Sequence, residues 1–194
     1  MNEDNKKLII ETIESHQKMI DAFLKNNIEI IASISELLIE SLEHNGTIYL
    51  CGNGGSAADA QHIASEFVGR FTRERKALAA VAFTTDTSIL TSVANDYTFE
   101  HIFSRQVQAL VRKNDILWAF STSGSSLNII AAARLAKEIG ATVIAFTGKS
   151  DSELENISDV CFCADSKDTA RSQEVHQLAY HIICDLVEKH FANI

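Results

Sequence analysis

The sequence predicts an α/β domain: a three-layer sandwich on a five-stranded parallel sheet, preceded by two helices and closed by a long one. Three observations carry that expectation. From Thr47 onward, short apolar runs of strand length alternate with segments of helical length. Each of the first four runs is followed at once by Gly, Ser or Thr, residues suited to loops at strand ends. Helical periodicity brackets the alternation at both ends of the chain. Strands separated by helices run parallel through right-handed crossovers, which cover both sheet faces.

In chain order, apolar residues first recur at helical spacing from about Asn5 to His44: Ile9, Ile10, Ile13, Ile20 and Phe23, then Ile28, Ile31, Ile34, Leu37, Leu38 and Leu42. The polar stretch Lys25–Asn26–Asn27 interrupts them, so two helices are expected. Residues 1–45 thus read as a helical extension that packs on the core and also serves subunit contacts. The expected strands are Thr47–Cys51, Leu78–Phe83, Ile116–Phe120 and Thr142–Phe146, with a weaker fifth at Val160–Ala164. Asp168 to Phe191 reads as one long helix. The 194 residues suit a single domain, with no internal repeat.

Hydrophobic residues make up 46% of the chain and charged residues 22%, as in globular proteins. The net charge is −9 and the Lys and Arg residues are scattered, which argues against nucleic acid as a partner. An anionic ligand must then be held by local dipoles against the overall field. The cysteines, Cys51, Cys161, Cys163 and Cys184, form no CxxC pair, and Met1 to Lys7 is polar and charged, unlike a secretory signal. A reducing, cytoplasmic setting is expected. No apolar run approaches the ~18 residues that span a bilayer, so no membrane association is expected.

Open parallel sheets bind ligands beyond the carboxyl ends of their strands. Four segments lie there: Gly52–Ser56, Thr84–Ser88, Ser121–Ser126 and Thr147–Lys149. In Ser121-Thr122-Ser123-Gly124-Ser125-Ser126, five hydroxyls surround one glycine between a strand and a helix. A helix N-terminus adds free N–H groups and partial positive charge, so this loop can cradle a phosphate without a lysine. A Ser-rich helix cap is the plain structural alternative, but one hydroxyl suffices for a cap. The loop Cys51-Gly52-Asn53-Gly54-Gly55-Ser56 is a weak signal alone, since it lacks dinucleotide spacing. Paired with the hydroxyl loop, it suggests an elongated phosphorylated ligand held at two strand ends.

The helix opened by Ser56 carries His62 and Glu66 four residues apart, on one face. The final helix carries Gln173, His176, Gln177 and His181, with Gln173 and His181 within roughly a quarter turn of each other. His, Glu, Gln and His are ligand types that suit zinc or a similar divalent ion. Such pairs are also common on solvated helix faces, so spacing alone leaves a metal open.

Five segments extend these patterns into a resemblance: CGNGGSAADAQHIASEFVGRF from Cys51, VANDYTFEHIFSRQV from Val93, FSTSGSSLNII from Phe120, AFTGKS from Ala145 and DTARSQEVHQLAYH from Asp168. In this order, over nearly the whole chain, they resemble the phosphoheptose isomerases of the sugar isomerase (SIS) superfamily. That resemblance implies a single SIS domain over 1–194 with a flavodoxin-like sheet. It implies conversion of D-sedoheptulose 7-phosphate to D-glycero-D-manno-heptose 7-phosphate for bacterial heptose synthesis. It implies one zinc per subunit on His62, Glu66, Gln173 and His181, with Glu66 and His181 as the catalytic pair. Substrate positions implied are Asn53, Gly54, Gly55, Ser56, Glu66, Asn95, Asp96, Ser121, Thr122, Ser123, Ser126 and Gln173. It also implies a homotetramer with active sites at subunit contacts. The chain departs from the pattern at Ser65, where many relatives have Glu, and at Ser172, where they have an apolar residue. At Ala170 some relatives have an Asp that contacts substrate, and Asp168 is the nearest candidate to replace it. Alternative functions are a non-catalytic relative that binds the bacterial replication initiator, a sugar-phosphate sensor, and an isomerase of another phosphosugar. The initiator-binding branch lacks counterparts of Glu66 and His181, and both are present here.

Overall fold

The computed structural model describes residues 2–192. Five strands, β1 (Ile48–Cys51), β2 (Ala80–Ala82), β3 (Ile116–Ser121), β4 (Thr142–Thr147) and β5 (Val160–Cys163), form one sheet in the order β2-β1-β3-β4-β5. Every neighbouring pair is parallel. The fold class expected from the sequence is the one observed. β2 is shorter than its apolar run because it is an edge strand with β1 as its sole partner. β3 and β4 each extend one residue further than expected, because Ser121 and Thr147 remain in register with each other. The first hydroxyl of the expected phosphate loop is therefore anchored in the sheet.

The helices are α1 (Glu3–Asn26), α2 (Ile28–Glu43), α3 (Gly55–Val68), α4 (Thr87–Asp96), α5 (Ser104–Leu110), α6 (Leu127–Ile139), α7 (Glu153–Ile157) and α8 (Thr169–Phe191). A 3-10 turn lies at Phe99–His101. Successive strand residues point to opposite faces, and both faces here are apolar. Leu50, Trp118, Phe120, Ile144, Phe146 and Phe162 pack under α2, α3 and α8 with Ile34, Leu38, Ile63, Phe67 and Ile183. Tyr49, Cys51, Leu117, Ala119, Val143 and Ala145 pack on the other side with Val107, Ile129, Ala133 and Leu154.

The expected break between the first two helices falls at Asn27. α2 packs as expected, but α1 buries only Phe23, leaving Leu8, Ile9, Ile10 and Ile13 about half exposed or more. Polar contacts tie α1 to α8: His16 Nδ1 lies 2.7 Å from Glu174 Oε2, and the Arg171 guanidinium donates to the Thr12 carbonyl.

His176 of α8 is fully buried among Phe120, Phe146 and Phe162, and its Nε2 donates to the Thr147 carbonyl at 2.9 Å. Its Nδ1 is buried without a partner. Burial pushes the imidazole down to about 4 from 6.5, against the opposing hydrogen bond to Thr147. The unfolded chain thus takes up this proton before the folded one does. Stability is retained above pH 6.5 and falls as pH drops toward 4, by about 3 kcal/mol for this group. His176→Leu is expected to flatten that part of the urea-midpoint profile between pH 6.5 and 4. An unchanged slope in the variant would remove His176 as its source.

Candidate active site

The strand order reverses between β1 and β3, with β2 outward of one and β4 and β5 outward of the other. Loops that diverge at such a reversal leave a ligand crevice at the carboxyl ends. Here the two loops are the glycine-rich segment after β1 and the hydroxyl-rich segment after β3. Asn53 and Asn128 bridge them reciprocally: Asn53 Nδ2 donates to Asn128 Oδ1 at 2.9 Å, and Asn128 Nδ2 donates to Asn53 Oδ1 at 2.8 Å. Asn128 is buried, and its Oδ1 also accepts the Ile129 N–H. Sequence reasoning missed Asn128; its signal was a lone amide among the apolar residues of the first two turns of α6.

Ser126 occupies the N-cap position of α6 but makes no side-chain cap bond. Its hydroxyl instead lies 2.9 Å from that of Ser121, which lies 3.3 Å from that of Ser123. The hydroxyls therefore bond to one another around the loop rather than capping the helix. Gly124 holds φ at +64°, and a Cβ there would lie 2.2 Å from the Ser152 Cβ. Its carbonyl accepts the Leu154 N–H, which fastens the loop to α7. Gly124→Ala is expected to destabilise the protein by about 1–3 kcal/mol through backbone strain and overlap. It should also raise KM for a phosphorylated substrate more than it lowers kcat. Thermal unfolding and steady-state kinetics check both; an unchanged KM would detach this loop from substrate.

α3 and α8 pack against each other and bring His62, Glu66 and His181 together. His62 Nε2 lies 3.1 Å from Glu66 Oε1, and the His62 and His181 rings meet edge-on with centroids 5.0 Å apart. Phe71 covers one side of His181 at 5.6 Å between centroids. Burial and then the neighbouring His62 hold the His181 imidazole below its ordinary 6.5, with Glu66 opposing. His181 is thus favoured in its neutral form.

Glu188 sets the spacing of the two helices. Its carboxylate is buried on α8 and accepts the backbone N–H groups of Phe71, Thr72 and Arg73, each at 2.7 Å, and the Thr72 hydroxyl. Arg75, 3.7 Å from Glu188, donates in turn to the carbonyls of Glu66, Phe67 and Gly69 at the end of α3.

Other expected positions lie outside the His62–Glu66–His181 cluster. The Gln173 carboxamide sits against Gly55 at the start of α3, and a Cβ on Gly55 would lie 2.6 Å from it. His62 is seven residues further along, roughly 10 Å. Among the described residues no group of three or more His, Cys, Asp or Glu is preassembled around a metal position. Asn95 and Asp96 are exposed at the far end of α4, which buries no residue of its own. Ser56 is buried beside the β1 loop, while Gly54 has open space around it. Asp168, the nearest candidate for the carboxylate absent at Ala170, uses its Oδ1 to cap α8, accepting the Ala170 and Arg171 N–H groups. Ser172 is buried with its hydroxyl bonded back to the Asp168 carbonyl, and exposed Ser65 bonds likewise to the His62 carbonyl.

Three comparisons bear on these residues. A family model described as SIS domain matches residues 13–148. The phosphoheptose isomerase of Helicobacter pylori (strain Shi470) is 45% identical over 186 residues, covering 96% of this chain and 97% of that protein. The solved structure of a phosphoheptose isomerase from Neisseria gonorrhoeae superposes with a TM-score of 0.89 at 40% identity, covering 95% of this chain and 98% of that one. One from Francisella tularensis superposes at 0.92 with 35% identity, covering 97% and 100%.

Proposed function

The chain belongs to the SIS domain family and, within it, to the phosphoheptose isomerases, and from that premise we propose that it interconverts sedoheptulose 7-phosphate and D-glycero-D-manno-heptose 7-phosphate for heptose biosynthesis. The convergence of a carboxylate, Glu66, with two imidazoles, His62 and His181, between α3 and α8 supports this reading above all. An aldose–ketose interconversion moves one proton between C1 and C2 and another between their oxygens. Glu66 takes the C1 proton of the open-chain ketose and returns it to C2 of the enediol. His181, held neutral, moves the proton at the oxygens. The hydroxyls of Ser121, Thr122, Ser123 and Ser126, with the N-terminus of α6, hold the phosphate and align the reacting end. Asn53, Gly54, Gly55, Ser56 and Gln173 line the stretch between. From Gly55 to His62 that stretch is roughly 10 Å of helix, a span suited to an open seven-carbon chain.

We read the donor types as suited to a zinc ion, for which side chains not preassembled around one position would have to close. His62 Nε2 and Glu66 Oε1 converge at 3.1 Å, with a second imidazole beside them. Nitrogen and oxygen donors of this kind hold catalytic zinc. His62, Glu66 and His181 would hold it, joined by Gln173 if its carboxamide swings from Gly55. Once bound, the ion would polarise the substrate carbonyl and offset negative charge on oxygen.

We also read the protein as a homotetramer. The exposed Leu8, Ile9, Ile10 and Ile13 of α1, and Ile89, Tyr97 and Phe99 around α4, are apolar faces of the kind that subunits cover. Asn95 and Asp96, exposed at the end of α4, would then serve a neighbour's site. The cysteines are free thiols, in keeping with the cytoplasm. No helix among the described residues is long and apolar enough to cross a membrane.

The test is incubation of purified protein with sedoheptulose 7-phosphate, following aldose formation with and without zinc chelation. Turnover that falls on chelation and returns with zinc is expected. Absence of turnover in zinc-loaded protein overturns the assignment and reopens the non-catalytic readings.

A further inference from the structure

Tyr180 is a fully buried residue to which neither the sequence analysis nor the proposed chemistry assigns a role. It touches both imidazoles of the cluster, with ring centroids 5.6 Å from His62 and 4.8 Å from His181. Its hydroxyl lies 3.3 Å from Asp59 Oδ1 and 3.1 Å from His62 Nδ1. The other carboxylate oxygen of Asp59 is buried without a partner. Asp59 and His62 are three residues apart on α3, so they share a face of the helix. Tyr180 spans from α8 to both.

The direction of each bond follows from donor and acceptor chemistry. An ionised carboxylate only accepts, so the single phenolic proton goes to Asp59. The tyrosine oxygen can then only accept from the imidazole, which places the ring proton of neutral His62 on Nδ1. Nε2 keeps its lone pair and faces Glu66 Oε1 at 3.1 Å. Two acceptors facing each other at that distance repel, so the Asp59–Tyr180 relay must hold the bare Nε2 there against Glu66, and a divalent cation between them would relieve the repulsion.

We propose that Asp59 and Tyr180 are positioning residues that fix the His62 ring in the Nδ1–H tautomer, so that Nε2 is presented with its lone pair toward Glu66 for a divalent cation. The relay reaches across two helices, so it fixes ring orientation as well as tautomer. Its importance to function rests on the proposed role of His62 as a ligand, whereas the tautomer itself can be read without any metal.

The experiment uses long-range nitrogen–proton NMR on metal-free, full-length protein labelled at histidine, taken up the pH scale until the ring is neutral. A His62→Gln spectrum identifies its signals. Wild-type protein should show His62 protonated at Nδ1 and bare at Nε2. Tyr180→Phe removes the acceptor with little change in volume, and should shift His62 toward the Nε2–H form bonded to Glu66. Asp59→Asn should do the same by another route, because the new amide donates to the tyrosine oxygen and frees its proton for Nδ1. A second readout is zinc affinity by chelator competition, expected to weaken about tenfold or more in both variants. Wild-type protein in the Nε2–H form, or an unchanged His62 tautomer in both folded variants, overturns the proposal. If the wild-type tautomer is as stated but zinc does not bind, the metal assignment fails and the tautomer relay stands. Should one variant fail to fold, the other and the wild-type tautomer still decide the matter.

Discussion

Glu66→Gln is expected to lower kcat by about 10²–10⁴-fold, equivalent to roughly 3–5 kcal/mol of barrier. The carboxamide has nearly the same shape as the carboxylate and can still bond to His62, but it cannot accept a proton from carbon. The proposed phosphate grip lies at the far end of α3, on the hydroxyl loop and the start of α6. Affinity for the sugar phosphate should therefore change only a few-fold, read by calorimetry beside steady-state kinetics. Metal content must be measured in the same preparation, because Glu66 is also a proposed ligand. A variant that keeps its metal and turns over within about tenfold of wild type, roughly 1.4 kcal/mol, would remove Glu66 as the base.

Glu188→Leu should have the largest effect on stability, a loss of about 3–5 kcal/mol. Three backbone N–H groups and the Thr72 hydroxyl converge on this one carboxylate. Leucine would leave them without an acceptor and would remove the carboxylate charge 3.7 Å from the buried Arg75 Nε. In a chain of this length that corresponds to a fall in Tm on the order of 10 °C. Glu188→Gln keeps one acceptor oxygen and should lose less. Burial alone would raise the Glu188 carboxyl, but the bonds from Thr72, Arg73 and Phe71 outweigh it and hold it below its ordinary 4.5. A depressed carboxyl stabilises the fold above pH 4.5 and loses that contribution as pH falls through the lower, folded value. The pH dependence of the leucine variant below 4.5 should thus be shallower than that of wild type. Equal melting temperatures for the two proteins at pH 7 would show that other contacts hold the loop.

Much of the fold was legible because strand and helix periods are local properties. The runs Ile116–Phe120 and Thr142–Phe146 could bury both faces only in a covered parallel sheet, and they do. The break expected at Lys25–Asn27 falls at Asn27, and the long helix expected from Asp168 runs Thr169–Phe191 with Asp168 as its cap; both signals were equally local. The strand-end loops were legible too, since glycines and hydroxyls between a strand and a helix announce a crevice before its geometry is known.

The relations between distant segments were not legible. Spacing put His62 beside Glu66, but only the packing of α3 on α8 brought His181 to them and left Gln173 at Gly55. Nothing local marks Tyr180 or Asp59, whose roles depend on a hydrogen bond between residues 121 positions apart. By itself the sequence determined the layers, the strand-end loops and the residue types available for chemistry, because periodicity and turn propensity act over a few residues. Tertiary structure alone decided which side chains meet and which hydroxyl faces which ring nitrogen. Those follow from how the helices dock on the sheet.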